Sequence, residues 1–451
     1  MSTLLPPLSA PPAAGLGTEL PAIVTASVPG PAGMALVDLL AAHECPAITA
    51  RRARRAESTG VDQDPIVWER AIGSNVWDPD GNRFVDLTAG FGVASAGHAN
   101  THVVARVTEQ LQRHVHGMGD AFPGVARIQL AAALAAHLPG ALDQVIFGSD
   151  GSDAVEASLK TAVLATSRSR IVACEGSYHG MSLGALGVSH YKDAFRAPFA
   201  GLMGRLADWV PFGGDLDAIA EVLDAGEPVA AVLVEPVQGR GGERTAPAAW
   251  FQGLAELCRA RGALLIFDEI FTGFGRAGPF VQAGTPAMGG VVPDLICLGK
   301  GMSSGFPVSA CVGTPEVMAA WGQSTGEAIH TSTFLGHPPG CAAALAVLEL
   351  IDEHGLLERG RALGELMGHT LEDLCARHPE AFSGVRGRGA MRGLEVVGGV
   401  ERSLVLCRGM LARGFIVLPA GTRGEALSFT PPLTMTAGQW TAALATLEGL
   451  L

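Results

Sequence analysis

The chain is short of lysine. Of its 31 lysines and arginines only three are lysine: Lys160, Lys192 and Lys300. Arginine serves almost everywhere a surface cation is wanted, so a lysine kept in an apolar, glycine-rich setting invites a role that only an amine fills. Aromatic residues make up 6% of the chain. No stretch interleaves them with clustered basic residues, which argues against a nucleic-acid partner. The basic run Arg51, Arg52, Arg54, Arg55 reads as a solvated helix face. No basic residue precedes Arg51, so the charged start of a secretory signal is missing. No apolar run reaches membrane-spanning length. The eight cysteines (45, 174, 258, 297, 311, 341, 375 and 407) form no CxxC pair, and several lie inside apolar runs. They read as buried thiols of a cytoplasmic protein, with no disulfide framework and no metal site.

What is present is ample apolar chain: 451 residues, 48% hydrophobic, with a formal charge of −13. That suffices for two domains, or for one large domain with a smaller cap. Residues 1–33 are rich in Pro, Ala and Gly, and we read 1–55 as a loosely ordered leader or an arm packed on a partner. "NVWDPDGNRFVDL" (75–87) reads as a hairpin turning at Asp80-Gly81, in an N-terminal part of the small domain at 56–97. From 98 to 335 short apolar runs alternate with helical stretches: "QVIFG", "RIVACEG", "VAAVLVEP", "ALLIFDE", "LICLGK" and "VSACVG". Buried strands alternating with helices predict an α/β large domain, its mostly parallel sheet covered on both faces. Residues 336–451 read as a smaller α/β domain: one long helix from "GCAAALAV" to "CARH", a strand pair around "GAMRGLEVV" and "GFIVLP", and a closing helix.

Ligand sites in such sheets lie beyond the carboxyl ends of the strands. Three motifs fall there. In "FGSDGSDAVEASLKTA" (147–162) a strand gives way to a helix beginning near Asp153, and Gly151 and Ser152 offer donors to an anion such as phosphate; an ordinary capped turn is the plainer reading. In "ALLIFDEIFTGFGR" (263–276) a buried strand delivers Asp268 and Glu269 to its end. A buried carboxylate needs a partner, and the pyridine nitrogen of pyridoxal 5′-phosphate (PLP) is one, because protonating it turns the ring into an electron sink. A magnesium site is the alternative for paired acids, but no GxxxxGK[ST] loop lies upstream. In "DLICLGKGMSSGFP" (294–307) Lys300 ends an apolar strand, where desolvation makes its neutral, nucleophilic form accessible.

In this order the three motifs resemble the class III aminotransferases, the ornithine and 4-aminobutyrate aminotransferase-like branch of fold-type I PLP enzymes, from about residue 65 to the end. The resemblance implies the PLP-dependent transferase fold and a role for each matching residue. Lys300 forms the Schiff base, Asp268 pairs with the pyridine nitrogen, and Gly151 and Ser152 bind the phosphate. Tyr178 of "SYHG" stacks on the ring, although a core aromatic is the plain alternative. Glu235 and Gln238 of "VEPVQG" lie beside the cofactor and order Asp268 and its surroundings. Thr333 of "HTSTFLGHP" reaches the partner subunit's cofactor, which implies a homodimer.

Three departures from the family pattern concern the substrate. Phe271 stands where the family often has Gln. Arg240 of "EPVQGRGG" takes the place of a Glu, and Ser428 of "LSFTPPL" that of a carboxylate-gripping Arg. Arg240 reads either as the cation for a substrate carboxylate or as a rim arginine in a structural ion pair. Phe91 of "TAGFGVASAGH" reads as a pocket residue or as core. The implied activity is ping-pong transfer of an amino group from an amine or amino acid to a 2-oxo acid. An isomerase of the same fold (a racemase, epimerase or aminomutase) shares the early chemistry, and a non-catalytic relative is a third reading that the intact Lys300 and Asp268 oppose.

Overall fold

The computed structural model describes residues 17–46, 57, 65–323, 326 and 328–451. The predicted hairpin is β2 (Asn75–Trp77) against β3 (Arg83–Asp86), and β1 (Arg70–Ile72) continues the antiparallel meander. Asp80 does more than turn the chain. Its carboxylate accepts the N–H groups of Ala32 and Gly33, each at 2.8 Å, at the start of the helix Pro31–His43, where a negative charge is favoured by the helix dipole. Part of the segment read as a loose leader is thus helical and tied to the hairpin. The rest of it, residues 1–16 and 47–55 with the basic run at Arg51–Arg55, lies outside the described residues.

The next strands are β4 (Gln144–Gly148), β5 (Arg170–Cys174), β6 (Ala207–Val210) and β7 (Val229–Val234). A short hairpin follows, β8 (Val237–Gln238) with β9 (Arg244–Thr245), and then β10 (Leu264–Asp268), β11 (Leu295–Leu298) and β12 (Ser309–Gly313). Seven of them form one sheet in the order β4-β12-β11-β10-β7-β5-β6, in which β12 runs antiparallel to both neighbours and every other pairing is parallel. Alternation along each strand serves two cores. Leu265 and Phe267 join the cluster that takes in the helices Val125–His137, Ala248–Arg261 and Pro338–Asp352, while Ile266 faces Ala154, Val155 and Ala157 of the helix Gly151–Thr166. The edge strand β6 was not among the predicted runs. It is only half-buried and carries Asp208, whose carboxylate pairs with Arg170 Nε at 2.6 Å, so it lacks the apolar signature of the interior strands.

The C-terminal strands are β13 (Phe382–Arg388), β14 (Met391–Val396), β15 (Phe415–Ile416), β16 (Leu418–Ala420) and β17 (Ala426–Phe429). Three details differ from the reading of this tail. The long helix is two, Pro338–Asp352 and Leu356–Arg377, broken where Gly355 takes φ 70. The first of the two packs on Thr101–Arg113 and Val125–His137 rather than with the smaller domain. "GAMRGLEVV" and "GFIVLP" are not a pair: β14 lies between β13 and β17, β16 pairs with β17, and β15 joins β3 in parallel. The chain therefore crosses between sheets at Val417. Among the described residues no helix is long and apolar enough to cross a membrane.

Candidate active site

The groups of interest gather past the carboxyl ends of β4, β5, β7, β10 and β11. Lys300 follows β11 after Gly299, in the left-handed region at φ 43. For a residue with a Cβ such a conformation costs ~1–3 kcal/mol and is held by its surroundings. Its Nζ lies 3.6 Å from the centroid of the Phe271 ring. Gly92 and Gly239 flank that ring so closely that a Cβ on either would collide with it. Burial pushes the Lys300 pKa down to about 8; Asp268 and Glu235 oppose the shift, and Arg240 and Arg276 reinforce it. The neutral amine is thus the majority form above about 8. Capture of an aldehyde by the apoenzyme should accelerate as pH rises from about 6 and level off above about 8, whereas an ordinary lysine would keep gaining up to roughly 10.4. Stopped-flow imine formation against pH distinguishes the two.

Asp268 ends β10 and is buried. Its Oδ1 accepts the N–H of Ile270 at 3.1 Å, and its Oδ2 lies 2.7 Å from Nδ1 of the fully buried His179. A carboxylate only accepts, so His179 carries its proton on Nδ1; among the described residues its Nε2 has no partner. His179 is the residue sequence reading missed. The only available signal was its position next to Tyr178 in "SYHG". Glu269 takes no part in the site. It turns away to accept Thr272 Oγ1 (2.7 Å) and the N–H groups of Gln282 (2.8 Å) and Ala283 (2.7 Å), and burial lifts its pKa to about 7.

Glu235 orders the surroundings of Asp268. It does not bond Asp268; it accepts the N–H groups of Tyr178 (2.8 Å) and Gly239 (3.1 Å), and burial raises its pKa to about 7. It therefore fixes the Tyr178 loop, while His179 fixes Asp268. Gln238 is buried and donates to the Glu175 carbonyl at 3.0 Å. Arg276 of "GFGR" is likewise buried; its Nη1 donates to the carbonyls of Ala390 (3.1 Å) and Pro431 (2.5 Å), which binds the large domain to the C-terminal segment.

At the end of β4 the helix begins at Gly151, two residues earlier than expected, with Asp150 as its N-cap. Asp150 Oδ1 accepts the N–H groups of Ser152 (2.7 Å) and Asp153 (3.2 Å). Those are donors that an anion at Gly151 and Ser152 would use. A phosphate seated there meets a carboxylate already capping the helix. Asp150→Asn keeps a capping oxygen and removes the charge, so it should tighten cofactor binding roughly fivefold. Titration of the apoenzyme checks this, and unchanged or weaker binding contradicts it.

The departures from the family pattern have definite places. The Arg240 guanidinium stands over Tyr178, its Cζ 4.8 Å from the ring centroid. Ser428 does not face Arg240. Its hydroxyl donates to the buried Glu243, whose pKa burial lifts to about 8. Phe91 is not core: it is 64% exposed, in the left-handed region at φ 65. Thr333 is exposed within the turn closed by Leu335 N–H on Ser332 O, at 3.2 Å. Among the described residues no cluster of His, Cys, Asp or Glu is suited to a metal ion. PLP fits the set that is present: an amine with an accessible neutral form, a buried and oriented carboxylate, and a helix N-terminus for the phosphate.

Residues 56–451 match the family model described as aminotransferase class-III. The chain is 36% identical over 387 residues to an acetylornithine aminotransferase of Methanopyrus kandleri, covering 86% of this chain and 94% of that one. It is 34% identical over 420 residues to a 5-aminovalerate aminotransferase of Pseudomonas aeruginosa, covering 88% and 96%. Among solved structures, an (S)-enantioselective omega-transaminase from Thermomicrobium roseum matches with a TM-score of 0.82 at 28% identity, over 93% of this chain and 99% of that one.

Proposed function

The chain belongs to the class III aminotransferases and is a PLP-dependent aminotransferase, and we propose that Lys300 is its catalytic amine, with Asp268, Gly151, Ser152, Tyr178 and Glu235 holding the cofactor around it. The observation that carries this reading is the placement of the Lys300 amine, just past β11 with its Nζ 3.6 Å from the centroid of the Phe271 ring, where burial pushes its pKa down to about 8. When bound, PLP supplies an electron sink for charge developing at the substrate carbon. Lys300 would hold the cofactor through its amine, and its Nζ would take the proton from the amine-bearing carbon of the substrate and hold it. Asp268 presents a fixed negative charge to the pyridine nitrogen, and His179 keeps that carboxylate in one orientation. Glu235, through the Tyr178 amide, keeps the aromatic face in register. Arg240 supplies a cation for a substrate carboxylate, and Phe91 an apolar wall.

The working unit in this reading is a homodimer in which Thr333 reaches the partner's cofactor. Supporting it is a set of exposed apolar side chains around the same region, Met118, Phe122, Ile128 and Phe334, an arrangement that favours burial against a second copy. The free thiols, five of them buried, suit a cytoplasmic location. A panel of amines and amino acids, assayed with and without 2-oxoglutarate or pyruvate, tests the reading. Carbonyl product should continue to form only with the acceptor; stereoinversion or amine migration without one would point to an isomerase.

A further inference from the structure

Arg240 is held in an unusual way. The chain has two tyrosines in all, Tyr178 and Tyr191, and Arg240 lies against both, its Cζ 4.8 Å from one ring centroid and 4.9 Å from the other. The two rings meet edge to face, with centroids 6.0 Å apart at 88°. Tyr191 is buried, and its hydroxyl donates to the Gly421 carbonyl at 3.3 Å. The N–H of that same Gly421 donates to the Arg240 carbonyl at 3.0 Å. One residue of the C-terminal segment thus pins both the arginine and the ring that packs on it.

The guanidinium also lacks a competitor. Among the described residues it makes no ion pair and no side-chain hydrogen bond. Of the acids nearest along the chain, Glu235 accepts the amides of Tyr178 and Gly239, and Glu243 accepts the Ser428 hydroxyl through Oε1. Its charge nevertheless reaches the amine, since it helps to lower the Lys300 pKa. Aromatic faces stabilise a cation without consuming its N–H donors, which leaves them available for a planar bidentate acceptor.

We propose that Tyr191 and Tyr178 clamp Arg240 as a fixed anion anchor that binds the carboxylates of donor and acceptor in turn, with Tyr191 as the positioning residue. This rests on Arg240 being a substrate-binding residue of an aminotransferase. A cation that cannot withdraw favours substrates bearing a carboxylate in both half-reactions, and it leaves a carboxylate-free diamine with no use for the anchor. The substrate class is therefore amino acids paired with 2-oxo acids.

The test uses the PLP-loaded enzyme and its Arg240→Gln, Tyr191→Phe and Tyr191→Leu variants. KM and kcat are measured for the best carboxylate donor of the panel, for 2-oxoglutarate and for putrescine, together with the inhibition constant of unreactive glutarate. Arg240→Gln and Tyr191→Leu should raise both acid KM values and the glutarate constant in parallel, by roughly tenfold, and by more than any change in the putrescine KM. Tyr191→Phe, which keeps the ring, should stay within about threefold of the parent. Unchanged acid KM values in Arg240→Gln remove Arg240 as the anchor and overturn the underlying reading. A response to Arg240→Gln but not to Tyr191→Leu overturns the clamp alone. A rise for only one of the two acids overturns the shared anchor. Tyr191→Met replaces the Leu variant if thermal melting shows that the latter is not folded, and the same outcomes apply.

Discussion

Lys300→Ala will leave no borohydride-reducible link between chain and cofactor, and turnover will fall by roughly 10²–10⁴-fold, the range for loss of a positioned acid–base group. Lys300→Arg should fail equally, because a guanidinium neither deprotonates usefully nor forms an imine. The chain offers few substitutes. Lys160 lies on the helix Gly151–Thr166 with its Nζ 3.1 Å from His330 Nδ1, and the Lys192 amine is 5.1 Å from the Tyr191 ring centroid. Only Lys300 combines a strand end, the left-handed φ of 43 and a desolvated amine with its pKa near 8. Reduction with borohydride followed by peptide mass mapping checks this. A reducible link surviving in Lys300→Ala would overturn the assignment of the amine.

Asp268→Asn is expected to be the next most damaging change, with kcat lower by on the order of 10²–10³-fold, as for loss of an oriented electrostatic partner. Asparagine keeps the shape and removes the charge, so little of the loss would come from packing. The substitution also alters what the fully buried His179 meets through Nδ1 at 2.7 Å. Among the described residues the His179 ring hydrogen-bonds Asp268 alone. His179→Asn should therefore cost less and should leave the reducible link at Lys300 intact. Single-turnover rates of the donor half-reaction separate these effects from substrate binding. A kcat for Asp268→Asn within about threefold of the parent would contradict the role given to the carboxylate.

Much of the fold was legible because interior parallel strands are buried on both faces and therefore read as unbroken apolar runs. Four strands of the main sheet, β5, β7, β10 and β11, were found this way, and the antiparallel β12 and the edge strand β4 carry apolar runs as well. The seventh, β6, sits at an edge and tolerates Asp208, so its sequence carries no such run. The amine was legible because lysine is scarce and because Lys300 sits where an apolar strand opens into a Gly/Ser turn. Residues that act across space were not legible. His179 and Asp268 are 89 residues apart, and Glu243 and Ser428 are 185 apart; no local period connects either pair. Adjacent residues also part company at strand ends. Asp268 faces the site while Glu269 turns to the amides of Gln282 and Ala283, a divergence that "DE" alone does not announce. At the turn before Gly151 the sequence admitted both an anion site and an ordinary capped turn, and Asp150 supplies the cap.

Mixing enzyme loaded with PLP and an amino donor, in the absence of any 2-oxo acid, tests the central claim most directly. Carbonyl product should appear to one equivalent per active site and then stop, and addition of 2-oxoglutarate should restart it with transfer of the donor nitrogen to the new amino acid. Continued turnover without an acceptor, giving the inverted or rearranged amine, would contradict the account.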